Sequence, residues 1–340
     1  MNKKTIILIS ALAVVILLYF VLQRNITSTI SGQDSQFEFH STDKIDKIFL
    51  SNRATKKYVT LTKKGPAEWL VNDSFKVNNN QIDLIFATLK NMRVKRPVSK
   101  NEKNTVIKDM ALHAVKVEIY ENGSVSKTFY VGQNTQDEMG TYFFMEKGEE
   151  PYVCHIPGSN AFLNTRFFTD VVAWRSKTIF STKEEDIKTI DIKWIATPEK
   201  SFTINNENKE PLLIAGNKTY KNNTEVNLNQ IKSYLKLWEN LSFEGFPIDL
   251  DAHKIDSIAH TQAILILTLT DKKNQITTLS IHKKGIKPDS DIQMDQQGNP
   301  LQFELENFYA FVNNNTKEVV QIQDYIFGKV MKYNSDFFLK

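Results

Sequence analysis

A single cysteine among 340 residues excludes a disulfide framework and any cage of several thiolates. Glycine and proline are also scarce, at 12 and 9, about half the usual usage. That leaves little material for glycine-rich phosphate loops. No G-x-G-x-x-G and no G-x-S-x-G string occurs, so nucleotide binding and serine-hydrolase chemistry have no local support. The string Ala215-Gly216-Asn217-Lys218-Thr219 ends like a phosphate loop, but Pro211 stands where its first glycine belongs. The 6 histidines include no pair three or four apart, so no compact helical metal site is visible. No cofactor is expected. The remainder, 41% hydrophobic and 24% charged, is ordinary globular material of a length suited to about two domains.

One long apolar run is present. From Ile6 to Leu22, through Leu12 and Leu17, only Ser10 is polar. At about 1.5 Å per residue this run reaches roughly 25 Å, the short end of a membrane-spanning helix. Lys3 and Lys4 precede it and Arg24 is the only basic residue just beyond, a bias that predicts a cytoplasmic N-terminus with the bulk of the chain outside. A cleaved signal peptide is the rival reading, although its best processing site, Thr29 to Ser31, is poor. Residues 1–24 thus read as cytoplasmic tip and anchor, and the polar residues 25–42 as a tether. The expected location is the inner, cytoplasmic membrane, with an extracytoplasmic or periplasmic body. One cysteine suits such an oxidising compartment.

The exported part reads as strands: Lys47–Leu50, Tyr58–Thr62, Trp69–Val71, Ala114–Tyr120, Val125–Val131, Tyr142–Met145 and Tyr152–Ile156 are short β-branched and aromatic runs between turn residues. Asn122-Gly123 predicts a tight hairpin, because both residues tolerate positive φ. One helix interrupts the strands. Ile82, Ile85, Phe86, Leu89 and Met92 recur at spacings of three and four, and Asn78–Asn80 supply a cap. The order then repeats. Ile187, Ile190 and Ile192 echo Ile45, Ile48 and Leu50, and the amphipathic run Asn229–Leu241 echoes the first helix 149 residues on. The prediction is α+β: a single transmembrane helix, then two tandem modules of antiparallel sheet with a packed helix, 43–182 and 183–340. An extended loop is expected at about 283–306 of the second.

Charge divides unevenly. Residues 41–180 hold 21 Lys+Arg against 15 Asp+Glu, and residues 181–340 hold 19 against 22. The sharpest feature is the basic run that includes Arg93, Lys95, Arg96, Lys100 and Lys103, a candidate surface for an anionic lipid, an acidic polysaccharide or the acidic second module of another copy. Its competing explanation is cations favoured at a helix C-terminus. Nucleic acid is not an expected partner outside the cytoplasm. Cys154-His155 is the only Cys/His neighbour pair, but adjacent strand residues point to opposite faces, so catalysis by the pair is not expected. The acidic pairs Glu149-Glu150 and Asp249 with Asp251 sit in turn-like segments.

The strand ending at Trp69, the Asn-rich start of the helix Asn78–Met92 and the Asp109, Ala111, Leu112 stretch form a pattern with later marks: Val131-Gly132, the Tyr142 strand, Tyr152-Val153 and Trp174-Arg175. With this pattern the first module resembles the family catalogued as domain of unknown function 4340, of bacterial membrane-anchored proteins. The resemblance covers roughly Asp43 to Ile195. It is weaker over Ile187–Lys332, where His282 stands in the place of Gly132. Some members resemble partners of gliding-motility-type ABC transport systems, which implies an accessory envelope role, and the family transfers no catalytic residue. The expected function is a non-enzymatic, membrane-anchored binding or scaffold protein alongside transporter or envelope-complex subunits. An envelope carbohydrate-active enzyme with a carboxylate pair is the alternative.

Overall fold

A computed structural model of the chain describes residues 35–221, 225–286, 294–295 and 297–339. It divides into two compact units between Ser176 and Lys177, ahead of the charged run Lys183-Glu184-Glu185-Asp186.

The first unit runs β1 (Ile45–Asn52), β2 (Lys57–Gly65), β3 (Glu68–Val71), β4 (Phe75–Lys76), α1 (Asn79–Asn91), β5 (Arg93–Pro97), α2 (Lys100–His113), β6 (Val115–Glu121), β7 (Ser124–Asn134), β8 (Thr141–Met145), β9 (Tyr152–His155) and a short α3 (Val171–Trp174). Its strands form one antiparallel nine-stranded sheet in the order β4-β3-β2-β1-β6-β7-β8-β9-β5. Alternation sorts the side chains: Ile48, Leu50, Val117, Ile119, Phe129 and Phe143 are buried on one face. There they meet Ile82, Ile85 and Leu89, the apolar stripe of α1, with Trp174 and Phe37 filling the same core. Asn78 starts α1, its Oδ1 accepting from the Asn80 N–H at 3.1 Å. The hairpin joining β6 and β7 turns at Asn122 and Gly123, both left-handed at φ 52° and 79°.

The second unit runs β10 (Thr178–Phe180), β11 (Ile187–Trp194), β12 (Phe202–Asn205), β13 (Leu212–Ala215), β14 (Lys218–Tyr220), α4 (Leu228–Lys236), β15 (Leu241–Ser242), α5 (Ala252–Ala259), β16 (Leu265–Asp271), β17 (Ile276–Gly285), β18 (Phe303–Val312), β19 (Val319–Gln323) and α6 (Asp324–Phe327). Its eight-stranded sheet, β14-β13-β12-β11-β16-β17-β18-β19, repeats the connectivity of the first from β4 through β9. Ile231, Tyr234 and Leu235 of α4 pack with Trp238 on a core of Ile190, Ile192, Leu267 and Ile281.

The two α+β modules of antiparallel sheet are therefore present, with four local corrections. Residues 100–113, read from sequence only as a basic run, form helix α2. It buries just Val106 and Met110, too thin a stripe for periodicity to reveal. Arg93–Pro97 is an edge strand rather than a helix tail, pairing with β9. The expected helix Asn229–Leu241 stops at Lys236 and passes through a 3₁₀ turn, because Leu241 leaves it to pair with Phe180. The expected loop 283–306 is shorter than read: Lys283 pairs with Phe308 and Gly285 with Phe303, so both of its ends belong to the β17–β18 hairpin. The anchor residues Lys3, Lys4, Ile6, Leu12, Leu17, Leu22 and Arg24 lie outside the described residues. Among those described, no helix is long and apolar enough to cross a membrane.

Candidate functional site

The outer face of the first sheet is only partly covered. Helix α2 lies over one end, where Val106 and Met110 meet Tyr130, Tyr142, Phe144 and Val153. Gly132 permits this contact. A Cβ there would sit 2.9 Å from Met110 Cγ and 3.3 Å from Tyr142 Cβ. Beside the helix the sheet stays open as a groove of about 640 Å³, within the usual size range of small-molecule sites, about 300–1,000 Å³.

One row of paired residues crosses five strands beneath it. Tyr58 of β2 pairs with Ser51 of β1, Ser51 with Lys116 of β6, Lys116 with Tyr130 of β7, and Tyr130 with Phe144 of β8. All five line the groove, with Phe49 from the neighbouring row and Ile107, Met110 and Ala111 from α2 as the wall. Each strand residue here is a step out of phase with a core residue, such as Phe49 between Ile48 and Leu50.

The charged groups of the floor are bonded within the chain. Lys116 Nζ lies 2.9 Å from Glu118 Oε1 and 3.0 Å from Glu146 Oε1. The Tyr120 hydroxyl donates to Glu118 at 2.8 Å, and the Tyr130 hydroxyl to Glu146 at 3.3 Å. Hydrogen bonds to the two carboxylates hold the Lys116 ammonium far above the ordinary lysine range. Burial opposes ionisation of Glu118, but the hydrogen bonds from Lys116 and Tyr120 outweigh it and lower its pKa. Burial, and then the Glu146 charge, raises the Tyr130 phenol. An amine held charged and phenols held protonated are poorly suited to act as nucleophile or base.

The mouth is different. Arg53 and Lys56 come from the β1–β2 turn and Lys57 opens β2; all three line the groove and are exposed. Among the described residues no ion pair engages them. The turn is tied to α2 by Asn52, whose Nδ2 donates to the His113 carbonyl at 3.1 Å and whose Oδ1 accepts from the Thr55 N–H at 3.0 Å. An adjoining depression of about 360 Å³ contains Lys56, Lys57 and Asp170. Asp170 is taken up in capping α3.

Among the described residues, the second unit does not repeat this groove chemistry. At the register positions of Ser51, Lys116, Tyr130 and Phe144 stand Lys193, Ile266, Ser280 and Phe311. Phe311 is buried, with Ile255 and Ile258 of α5 packed against its cluster. His282, at the Gly132 position, is buried too, its ring edge-on to Phe311 at 5.3 Å and its Nδ1 2.9 Å from Thr261 Oγ1.

The residues singled out from sequence are placed as follows. The Arg93 guanidinium donates to the carbonyls of Lys90 and Met92 at the end of α1, at 2.8 and 2.7 Å. Lys95 Nζ donates to the Met139 carbonyl at 3.2 Å, and Arg96 lies 3.6 Å from Glu102. Lys100 and Lys103, on the first turn of α2, are exposed or half-exposed. Strand β5 and α2 thus carry the basic run on adjacent elements, with three of its cations in contacts within the chain. Cys154 is fully buried in the core, where burial pushes its thiol well up, and His155 lies in the half-buried surface layer of β9. The groove aromatics were not legible as a site. Plain reading of an aromatic run assigns it to the core, and only strict alternation marks Phe49, Tyr130 and Phe144 as facing away from it.

A family model described as Domain of unknown function (DUF4340) matches residues 69–262, more than half of the chain. No curated protein matches it.

Proposed function

Since the chain belongs to the DUF4340 family, whose description assigns no chemistry, we propose that it is a binding protein and not an enzyme, with the groove of its first unit as the ligand site. The carrying observation is a groove of about 640 Å³ with an aromatic and aliphatic lining whose floor charges are already paired. A glycosidase needs two carboxylates free to act across a cleft. Glu146, the acid among the lining residues, is committed to Lys116 and Tyr130. This favours capture over turnover.

The run Ile6–Leu22 supports an inner-membrane anchor with the two units outside the cytoplasm, and the resemblance of some relatives to ABC-system partners supports an accessory role beside a transporter or surface-motility complex. The binding reading is tested on the full-length chain with a photoactivatable alkyl probe. Cross-links are expected in peptides containing Phe49, Met110 and Phe144, and their loss in Ala111→Trp, which fills the groove from an exposed helix position. Labelling scattered over both units, unchanged in that variant, overturns it. Protease added to intact spheroplasts is expected to digest residues 43–340; a protected body overturns the location.

A further inference from the structure

We propose that the groove takes a single fatty acyl chain ending in an anionic head, with the chain along the aromatic row and the head at Arg53, Lys56 and Lys57. The inference rests on the binding reading above and specifies its ligand class.

The floor chemistry selects the tail. The groove lies on the face of a sheet, where the backbone N–H and C=O groups of the underlying strands are consumed by the ladders on either side. An extended peptide recognised by strand addition needs an open edge, which a sheet face does not offer. A sugar needs several free donors and acceptors, yet Lys116, Glu146 and Tyr130 are bonded within the chain, which leaves the hydroxyls of Ser51 and Tyr58 on the floor. Phe49, Tyr58, Phe144, Ile107 and Met110 remain, and they offer dispersion and water exclusion to a flexible apolar chain.

The mouth selects the head. Arg53 and Lys56 of the β1–β2 turn and Lys57 at the start of β2 are exposed, without acidic partners among the described residues, and held beside the end of α2 by Asn52. Three cations at one end of an apolar groove attract a carboxylate and repel a cationic head. Because these groups are exposed, the head contributes less than the tail and its share weakens with salt.

The test uses the full-length chain in phosphatidylcholine nanodiscs with a dodecanoic acid carrying a diazirine at its tail, and competitors held below their micellar concentrations. Labelling is expected at the aromatic row. Octanoate, decanoate and dodecanoate are expected to compete with strength rising about three- to fourfold per methylene, as burial of each CH₂ at about 0.8 kcal/mol requires. Dodecanoate is expected to outcompete dodecanol by about tenfold at low salt, and the triple variant Arg53→Glu, Lys56→Glu, Lys57→Glu to remove that advantage while dodecanol competes as before. Equal competition by dodecanoate, dodecanol and dodecyltrimethylammonium overturns the anionic class and leaves the binding reading standing. No dependence on chain length overturns the acyl chain. If neither the acid nor an uncharged alkyl probe labels the groove, the binding reading itself fails.

Discussion

At His282 a ring that titrates in ordinary water is enclosed between Phe311 and Thr261, and burial lowers its pKa below the usual imidazole range. In the unfolded chain the ring takes up a proton at about pH 6.5; in the folded one it resists. The stability tied to the neutral ring is therefore complete above that value and drains away as pH falls through it toward the folded pKa. The expected outcome is a melting temperature that drops more steeply between pH 7.5 and 5.5 in the wild type than in His282→Gln. Parallel curves remove the claim. Lys116 illustrates the opposite case, a cation whose charged form two carboxylates secure, so it offsets one of their two negative charges and stays unreactive.

Among the elements, α2 decides whether there is a groove at all, and its hold on the sheet is thin. It buries two side chains on the sheet and depends on its ends. Ser99 caps it, the Oγ accepting from the Glu102 N–H at 3.3 Å, and Asn52 holds the last turn through the His113 carbonyl. Ser99→Ala is expected to cost about 1 kcal/mol, the usual value of such a cap. Hydrogen exchange checks it: faster exchange at residues 100–106, with the hairpin at Asn122-Gly123 unchanged, is the expected pattern. Uniform acceleration across the unit counts against a local role for the cap. The same helix explains Gly132, since a methyl group there meets Met110 and displaces the wall of the groove.

Across the whole molecule, two sheets with matching connectivity each enclose their own core. Trp174 belongs to the first core, fully buried, its Nε1 donating to the Phe168 carbonyl at 3.0 Å and its ring stacked on Phe168. Trp174→Ala is expected to destabilise that unit by about 3–5 kcal/mol, the range for a large buried aromatic. Exchange in residues 35–176 should rise strongly while the core strands of residues 187–323 keep their protection. Loss of protection in both indicates one cooperative body in place of two. The duplicated frame has been used unequally: the first unit keeps a groove on its outer face, and the second fills the corresponding layer with His282, Phe311 and α5.

Strand positions, the α1 stripe, the Asn122-Gly123 turn and the repeat were legible in the sequence, because each depends on periodicity or on φ preferences that neighbouring residues carry within themselves. What only the tertiary structure decided was which of the outward-facing residues stay open to solvent. Tyr58, Lys116, Tyr130 and Phe144 lie on four separate strands, and nothing local to any one of them records that register sets them in one row or that α2 stops short of covering it. Local pattern specifies the face a side chain takes; only the packed chain specifies what, if anything, lies over that face.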